Sequence, residues 1–218
     1  MQPGQIHARL AAAYDLAAPW DIGDFLLTDR AAAQRLAISA DLHETPETLL
    51  LHQDGETLSL SLFLDAELLA RLTEGPPPAA IDARYLDDLS AAIEGVSHFL
   101  YLVWNAGHAR PVTQLELELQ AEVDTFVTWM LLLDRPPHPV HGRGLWRWLF
   151  ERFRLRDGLS AGQRRRYLEA NRLAARYCAR LVERLRRQSH EQLLPELRRF
   201  YRMPQARKIH YIESLGSC

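Results

Sequence analysis

Apolar and polar side chains alternate from Thr57 to Leu62, whereas beyond residue 81 apolar positions recur every three or four residues. The first period is that of a strand with one buried face, the second that of amphipathic helices. Two apolar-rich runs, Glu47–Gln53 and Glu56–Leu64, flank Asp54-Gly55 and predict a β-hairpin over 47–64, because Asp-Gly suits the positive φ angles of a type I′ turn. Leu58, Leu60, Leu62 and Leu64 share one face of the second strand, with Ser59, Ser61 and Phe63 opposite. Asp65 is placed to cap a helix running to about Leu72, and Gln5–Leu16 carries a further helical pattern. Residues 1–74 thus read as a small α+β unit.

Gly75-Pro76-Pro77-Pro78 is a stiff linker that marks a boundary. Residues 81–134 predict two long antiparallel helices separated at Gly107–Pro111, where Gly ends one helix and Pro opens the next. A second break, Arg135–Pro139, precedes a short helix (Gly144–Leu155), a long one (Ser160–Gln188) and two shorter patterns. The expected fold is mainly α, a helical bundle over 81–218 with the hairpin-bearing unit before it.

The helical period also sorts polar residues. Leu86, Leu89, Ile93, Val96, Leu100, Val103 and Trp104 make one core stripe, and Asp87, Glu94, His98, Tyr101 and Asn105 a second, polar one. An ordinary amphipathic helix turns such a stripe to solvent, and that is the leading reading; flanking Phe99 and Leu102 leave as the alternative a central helix whose polar stripe faces a cavity. On the next helix Glu118 and Glu122 lie at the edge of a face made by Leu115, Leu119, Val123, Phe126 and Met130. Arg164 and Asn171 fall among Tyr167, Leu168, Ala175, Cys178 and Val182 on the long basic helix. A buried carboxylate needs a charge or hydrogen-bond partner, so Glu94, His98, Glu118, Glu122, Arg164 and Asn171 are expected to form one polar cluster. Its plain reading is structural; its functional reading is a small-ligand or catalytic pocket. Carboxylate-bridged di-metal bundles use Glu-x-x-His on two helices, and here a single Glu–His pair is spaced i,i+4. No metal or other cofactor is expected on that ground.

Charge changes the picture most. Residues 1–134 hold 6 Arg against 21 Asp and Glu, and residues 135–218 hold 19 Arg and Lys208 against 7, so a net charge of −2 conceals an acidic and a basic part. Arg172, Arg176, Arg180 and Arg184 recur every four residues, a spacing that costs a few tenths of a kcal/mol, roughly, per like-charged pair. The comb calls for an acidic surface, either the chain's own helices over 81–134 or a partner protein. Nucleic acid is a weaker candidate, since no helix-turn-helix, zinc-finger or RRM pattern is present and the acidic part would repel a polyanion. Leu145, Trp146, Leu149, Phe150 and Phe153 form an aromatic face that is expected to dock into the protein's own domain, the alternative being an anionic membrane surface. His138 and His141 lack neighbouring ligands and read as loop residues, and Cys178 and Cys218 give no disulfide framework.

The chain shows no signal-peptide pattern and no apolar run of spanning length, so a soluble, cytoplasmic protein is expected. No Walker, dinucleotide, G-x-S-x-G or H-E-x-x-H motif occurs. The leading functional reading is a non-catalytic interaction or regulatory module that uses Arg172, Arg176, Arg180 and Arg184, with Trp146 and Phe150, to hold an acidic partner. The alternatives are an enzyme or small-ligand-binding bundle built on the Glu/His cluster, and a nucleic-acid binder. Oligomeric state is not legible in the sequence.

Overall fold

In a computed structural model of the chain, residues 1–37, 45–55, 57–75, 83–132 and 142–216 are described. Pro76–Pro78, the break at 135–139, His138, His141 and Cys218 lie outside the described residues. The chain opens with helix α1 (Pro3–Tyr14), a 3-10 turn (Ile22–Phe25), strand β1 (Leu26–Leu27) and helix α2 (Arg30–Leu36). Strands β2 (Glu47–Asp54) and β3 (Thr57–Leu64) and helix α3 (Ala66–Glu74) follow. Helices α4 (Ala83–Ala106) and α5 (Gln114–Leu132) come next, then α6 (Arg143–Trp146) running into a π-turn (Arg147–Glu151). Helices α7 (Ala161–Leu185), α8 (His190–Tyr201) and α9 (Gln205–Ser214) complete a mainly α fold.

The hairpin forms as its alternation predicts, with β2 and β3 antiparallel. The closing pair is Asp54↔Thr57, so the tip begins at Gly55 (φ +56°) rather than being centred on Asp54-Gly55. Two-residue β1 adds in parallel at the other edge of β3, in the order β1-β3-β2. Phe63, on the face opposite Leu62 and Leu64, is also buried: it packs with Ala33 and Leu50 in a small core beneath α2. Asp65 caps α3 by accepting from the Glu67 and Leu68 amides, and Arg71 of α3 grips Asp88 of α4 with two bonds of 2.6 and 2.8 Å.

One apolar core takes in Ile6, Leu10 and Tyr14 of α1, Leu62 and Leu64 of β3, Ile93 and Val96 of α4, Val123 and Phe126 of α5, and Tyr177 and Leu181 of α7. Helix α5 lies in its middle, touched by α1, α4, α6 and α7. The break between α4 and α5 covers Gly107–Pro111, but Pro111 does not open α5, which starts at Gln114 with Thr113 Oγ1 accepting from the Glu116 amide; Ser160 opens α7 with a reciprocal Ser–Gln163 cap. No described helix is long and apolar enough to cross a membrane.

Gly95 explains why α4 can lie so close to the sheet. A Cβ there would come within 2.9 Å of Leu62 Cδ1 and 3.4 Å of both Leu64 Cδ2 and Glu47 Oε2. Only a residue without a side chain lets β2 and β3 press on this turn of α4, and that contact carries Glu47 toward Glu94 and His98.

A carboxylate–histidine cluster where the sheet meets the bundle

Two polar clusters are buried around α4 and α5, and they differ in how well they are bonded. The first centres on Lys208 of α9, which is wholly buried. Its ammonium donates to Tyr101 Oη at 2.9 Å and to Gln120 Oε1. Tyr101 in turn donates to Glu116 Oε1, which also accepts from Arg110 Nη2 at 2.7 Å. Asp124 accepts from Tyr14 Oη, from Ser97 Oγ at 2.5 Å and from Gln120 Nε2 at 2.7 Å. Every charged group here reaches a partner, as a structural polar network requires, although Arg110 Nε is itself buried without one.

The second cluster does not close in this way. Glu94 and His98 sit one turn apart on α4, facing Glu118 on α5, and one ligand atom from each lies within 4.8 Å of the others. His98 Nε2 is 3.7 Å from Glu118 Oε2, and Arg166 Nε of α7 is 3.6 Å from Glu118 Oε1. Both gaps are too long for hydrogen bonds. Glu47, at the start of β2 and 6% exposed, lies beside this trio with Arg156 Nη2 at 3.7 Å from its Oε1. Glu47 Oε2, His98 Nε2, Arg166 Nε and Asn171 Nδ2 are all buried without a hydrogen-bond partner.

Electrostatics follow from that crowding. Burial, reinforced by the charge of Glu94, pushes the Glu47 carboxyl up to about 8, against the pull of His98 and Arg156. Burial likewise raises Glu94, and raises Glu122 to about 8 with Glu94 adding to the effect. Asn171 lies near enough for its amide to oppose the Glu122 shift, although its Nδ2 makes no bond of acceptable geometry. Burial alone would discharge His98, but Glu118, Glu47 and Glu94 outweigh it and hold the imidazole at about 9. Without a further cation, this pocket keeps carboxyls protonated and a histidine charged near neutral pH.

The structure therefore brings together five of the six polar residues expected from the helical faces. Arg164 is the exception, being exposed. Leu168, counted as core in reading the face, is 53% exposed, and including it rotates the inferred face toward Arg164. The face defined by Ala170, Ala174, Tyr177 and Leu181 turns Arg166 inward instead. The polar stripe of α4 is not a solvated face: only its outer end, Asp87, is exposed, while Tyr101 and Asn105 are wholly buried. Glu47 and Arg156 were not legible as members, because each comes from an element distant in sequence.

The arginine comb has its own surroundings. Arg172 binds Glu169 at 2.9 and 2.7 Å, Arg176 donates to the Glu213 carbonyl at 3.0 Å, and Arg184 pairs with Glu196. Arg180, exposed, makes no hydrogen bond or ion pair among the described residues. None of the four reaches the acidic helices α4 and α5, because α8 and α9 lie along this side of α7. Among the described residues, the α7 arginine that pairs with a carboxylate of α5 is Arg166. Phe150 is buried against Phe126, and Trp146 donates its indole N–H to the Ala175 carbonyl at 2.7 Å. Phe150 is thus spent on the protein's own packing, while Trp146 is only partly buried.

No family model, characterised protein or solved structure matches the chain.

Proposed function

We propose that this protein is a helical-bundle metalloprotein that holds a divalent transition-metal ion on Glu94, His98 and Glu118, with Glu47 beside them, and that the ion serves a small-molecule or catalytic site. The observation that carries this reading is the contrast between two clusters on the same helices. One satisfies its charges internally; the other gathers carboxylates and an imidazole while leaving Glu47 Oε2 and His98 Nε2 buried and unbonded. A separation of 3.7 Å between His98 Nε2 and Glu118 Oε2 is wrong for a hydrogen bond. It suits two ligands on one ion with bonds of about 2.1 Å. Imidazole with carboxylates favours Mn²⁺, Fe²⁺ or Zn²⁺ over the all-oxygen cages of Ca²⁺. Three protein ligands leave coordination positions for water or substrate, as catalytic metal sites do. The i,i+4 spacing of Glu94 and His98 argues against a two-helix di-metal motif, but not against one ion completed from α5.

Titrating the EDTA-stripped protein with Mn²⁺ and Zn²⁺ tests this. One equivalent is expected to bind and to raise the melting temperature, with affinity at least about tenfold weaker in His98→Ala and Glu118→Gln. No uptake, or uptake indifferent to both substitutions, overturns the reading.

A second reading, an interaction module for an acidic partner, is supported by one observation. Arg143, Arg176, Arg180 and Trp146 line a cleft of about 330 Å³ on the comb side of α7. It predicts salt-sensitive binding of a glutamate-rich peptide, lost in Arg176→Ala/Arg180→Ala; oligonucleotides bound more tightly than the peptide would favour nucleic acid instead.

A further inference from the structure

The metal reading leaves two guanidinium groups unexplained. Arg156, in the segment between the π-turn and α7, is 47% exposed and stands 3.7 Å from Glu47. Arg166, on the first turns of α7, stands 3.6 Å from Glu118 with its Nε buried and unbonded. Each is within ion-pair range of a cluster carboxylate, yet neither forms the close, forked bonds that arginine makes when carboxylate pairing is its whole role. Arg71 on Asp88 shows that geometry in the same molecule, at 2.6 and 2.8 Å. With His98 neutral, a divalent ion and the two guanidiniums carry four positive charges, which are matched only when Glu47, Glu94, Glu118 and Glu122 are all ionised. Tyr167, stacked beneath Arg166 at 5.3 Å, adds a hydroxyl to the same wall.

Resting on the metal reading above, we propose that the loaded site binds a phosphate-class oxyanion, with one oxygen on the metal ion and the others on Arg156 and Arg166. Three positive centres supplied by three elements suit a tetrahedral anion with several oxygens better than a carboxylate with two. Half-exposed Arg156 stands on the solvent side of the site, where an anion would enter.

The test uses inorganic phosphate and the full chain loaded with substoichiometric Mn²⁺, its occupancy read by electron paramagnetic resonance. Phosphorus line broadening by the bound Mn²⁺ reports whether phosphate sits beside the ion. Broadening is expected with the loaded protein and not with the stripped one. Phosphate affinity should fall at least about tenfold in Arg156→Met and in Arg166→Met at unchanged Mn²⁺ occupancy, one lost charge-assisted contact being worth about that factor. Arg156→Met alters a half-exposed side chain, so its fold, checked by circular dichroism, keeps the test meaningful if Arg166→Met unfolds. Mn²⁺ uptake without phosphate binding, or phosphate binding indifferent to the substitutions, overturns this proposal and leaves the metal site standing. Acetate displacing phosphate at equal concentration overturns the phosphate class. Failure to take up Mn²⁺ overturns both.

Discussion

Replacing Glu47 by Gln tests the reasoning most directly, because two effects of opposite sign are expected from one substitution. The Glu47 carboxyl is raised from 4.5 to about 8, chiefly by burial and then by Glu94. Between those values the folded protein binds more protons than the unfolded chain, so the stability Glu47 allows is fully present below pH 4.5 and falls as pH rises toward 8. At pH 7 the loss has a ceiling of about 3 kcal/mol, from about 1.4 kcal/mol per pH unit over the interval above 4.5. Water entry and relaxation of Arg156 reduce it, and a realistic figure is about 1–2 kcal/mol. Glutamine does not ionise and escapes the loss. In EDTA, Glu47→Gln should therefore be about 1–2 kcal/mol more stable than the natural protein at pH 7.5, equivalent to about 2–8 °C in melting temperature. At pH 4.5 the two should be nearly equal. Added Mn²⁺ should then stabilise the variant less than the natural protein, because an oxygen beside the ion has become an amide. Urea denaturation followed by circular dichroism at the two pH values measures the first effect, and melting with and without Mn²⁺ the second. Equal destabilisation at both pH values would show Glu47 to be a satisfied partner of Arg156, and the case for an incomplete cluster would fail.

Metal affinity should rise steeply from pH 6 toward pH 9, because binding must remove a proton from His98, held at about 9, and from the raised carboxyl of Glu94; isothermal titration at three pH values measures it. Gly95→Ala should destabilise by about 1–3 kcal/mol, since its Cβ would meet Leu62 at 2.9 Å and Leu62 is wholly buried. Thermal melting reads that loss, which should exceed the helical gain of about 1 kcal/mol for Gly→Ala. Lys208→Arg should cost about 2 kcal/mol or more, because burial lowers the Lys208 amine to about 7 whereas a guanidinium stays charged, and a planar guanidinium cannot take the place of an amine wholly enclosed by Tyr101, Gln120 and Phe200. A melting temperature equal to that of the natural protein would contradict this.

The pattern of hydrophobic positions carried the fold a long way and the site part of the way. Local period was enough for the hairpin, α3, both long central helices and α7, since each of these has a face, a cap or a breaker that acts within a few residues. Two-residue β1 has no such signal: Leu26 and Leu27 become a strand only because β3 offers them an edge. Phe63 looked solvent-facing by alternation and is buried because α2, remote from it in sequence, covers that face.

The site follows the same division. Glu94, His98, Glu118 and Glu122 could be gathered from helical faces alone, because residues four apart on one helix must stay neighbours. Glu47, Arg156 and Arg166 enter through tertiary packing, and what admits Glu47 is the absence of a side chain at Gly95. One signal for the structural network did lie in plain view. Lys208 is the single lysine in a chain that otherwise uses arginine for its basic side chains, and among the described residues it is the basic side chain enclosed completely in the core. Where arginine serves everywhere on the surface, a lone lysine marks a position that needs a compact ammonium. The corresponding mark of the metal cluster is subtler: glutamates placed on otherwise apolar faces, at Glu47, Glu94, Glu118 and Glu122, with no lysine or arginine at helical spacing to discharge them. Such residues are costly to bury singly, and their convergence on one imidazole is what separates this pocket from the closed network beside it.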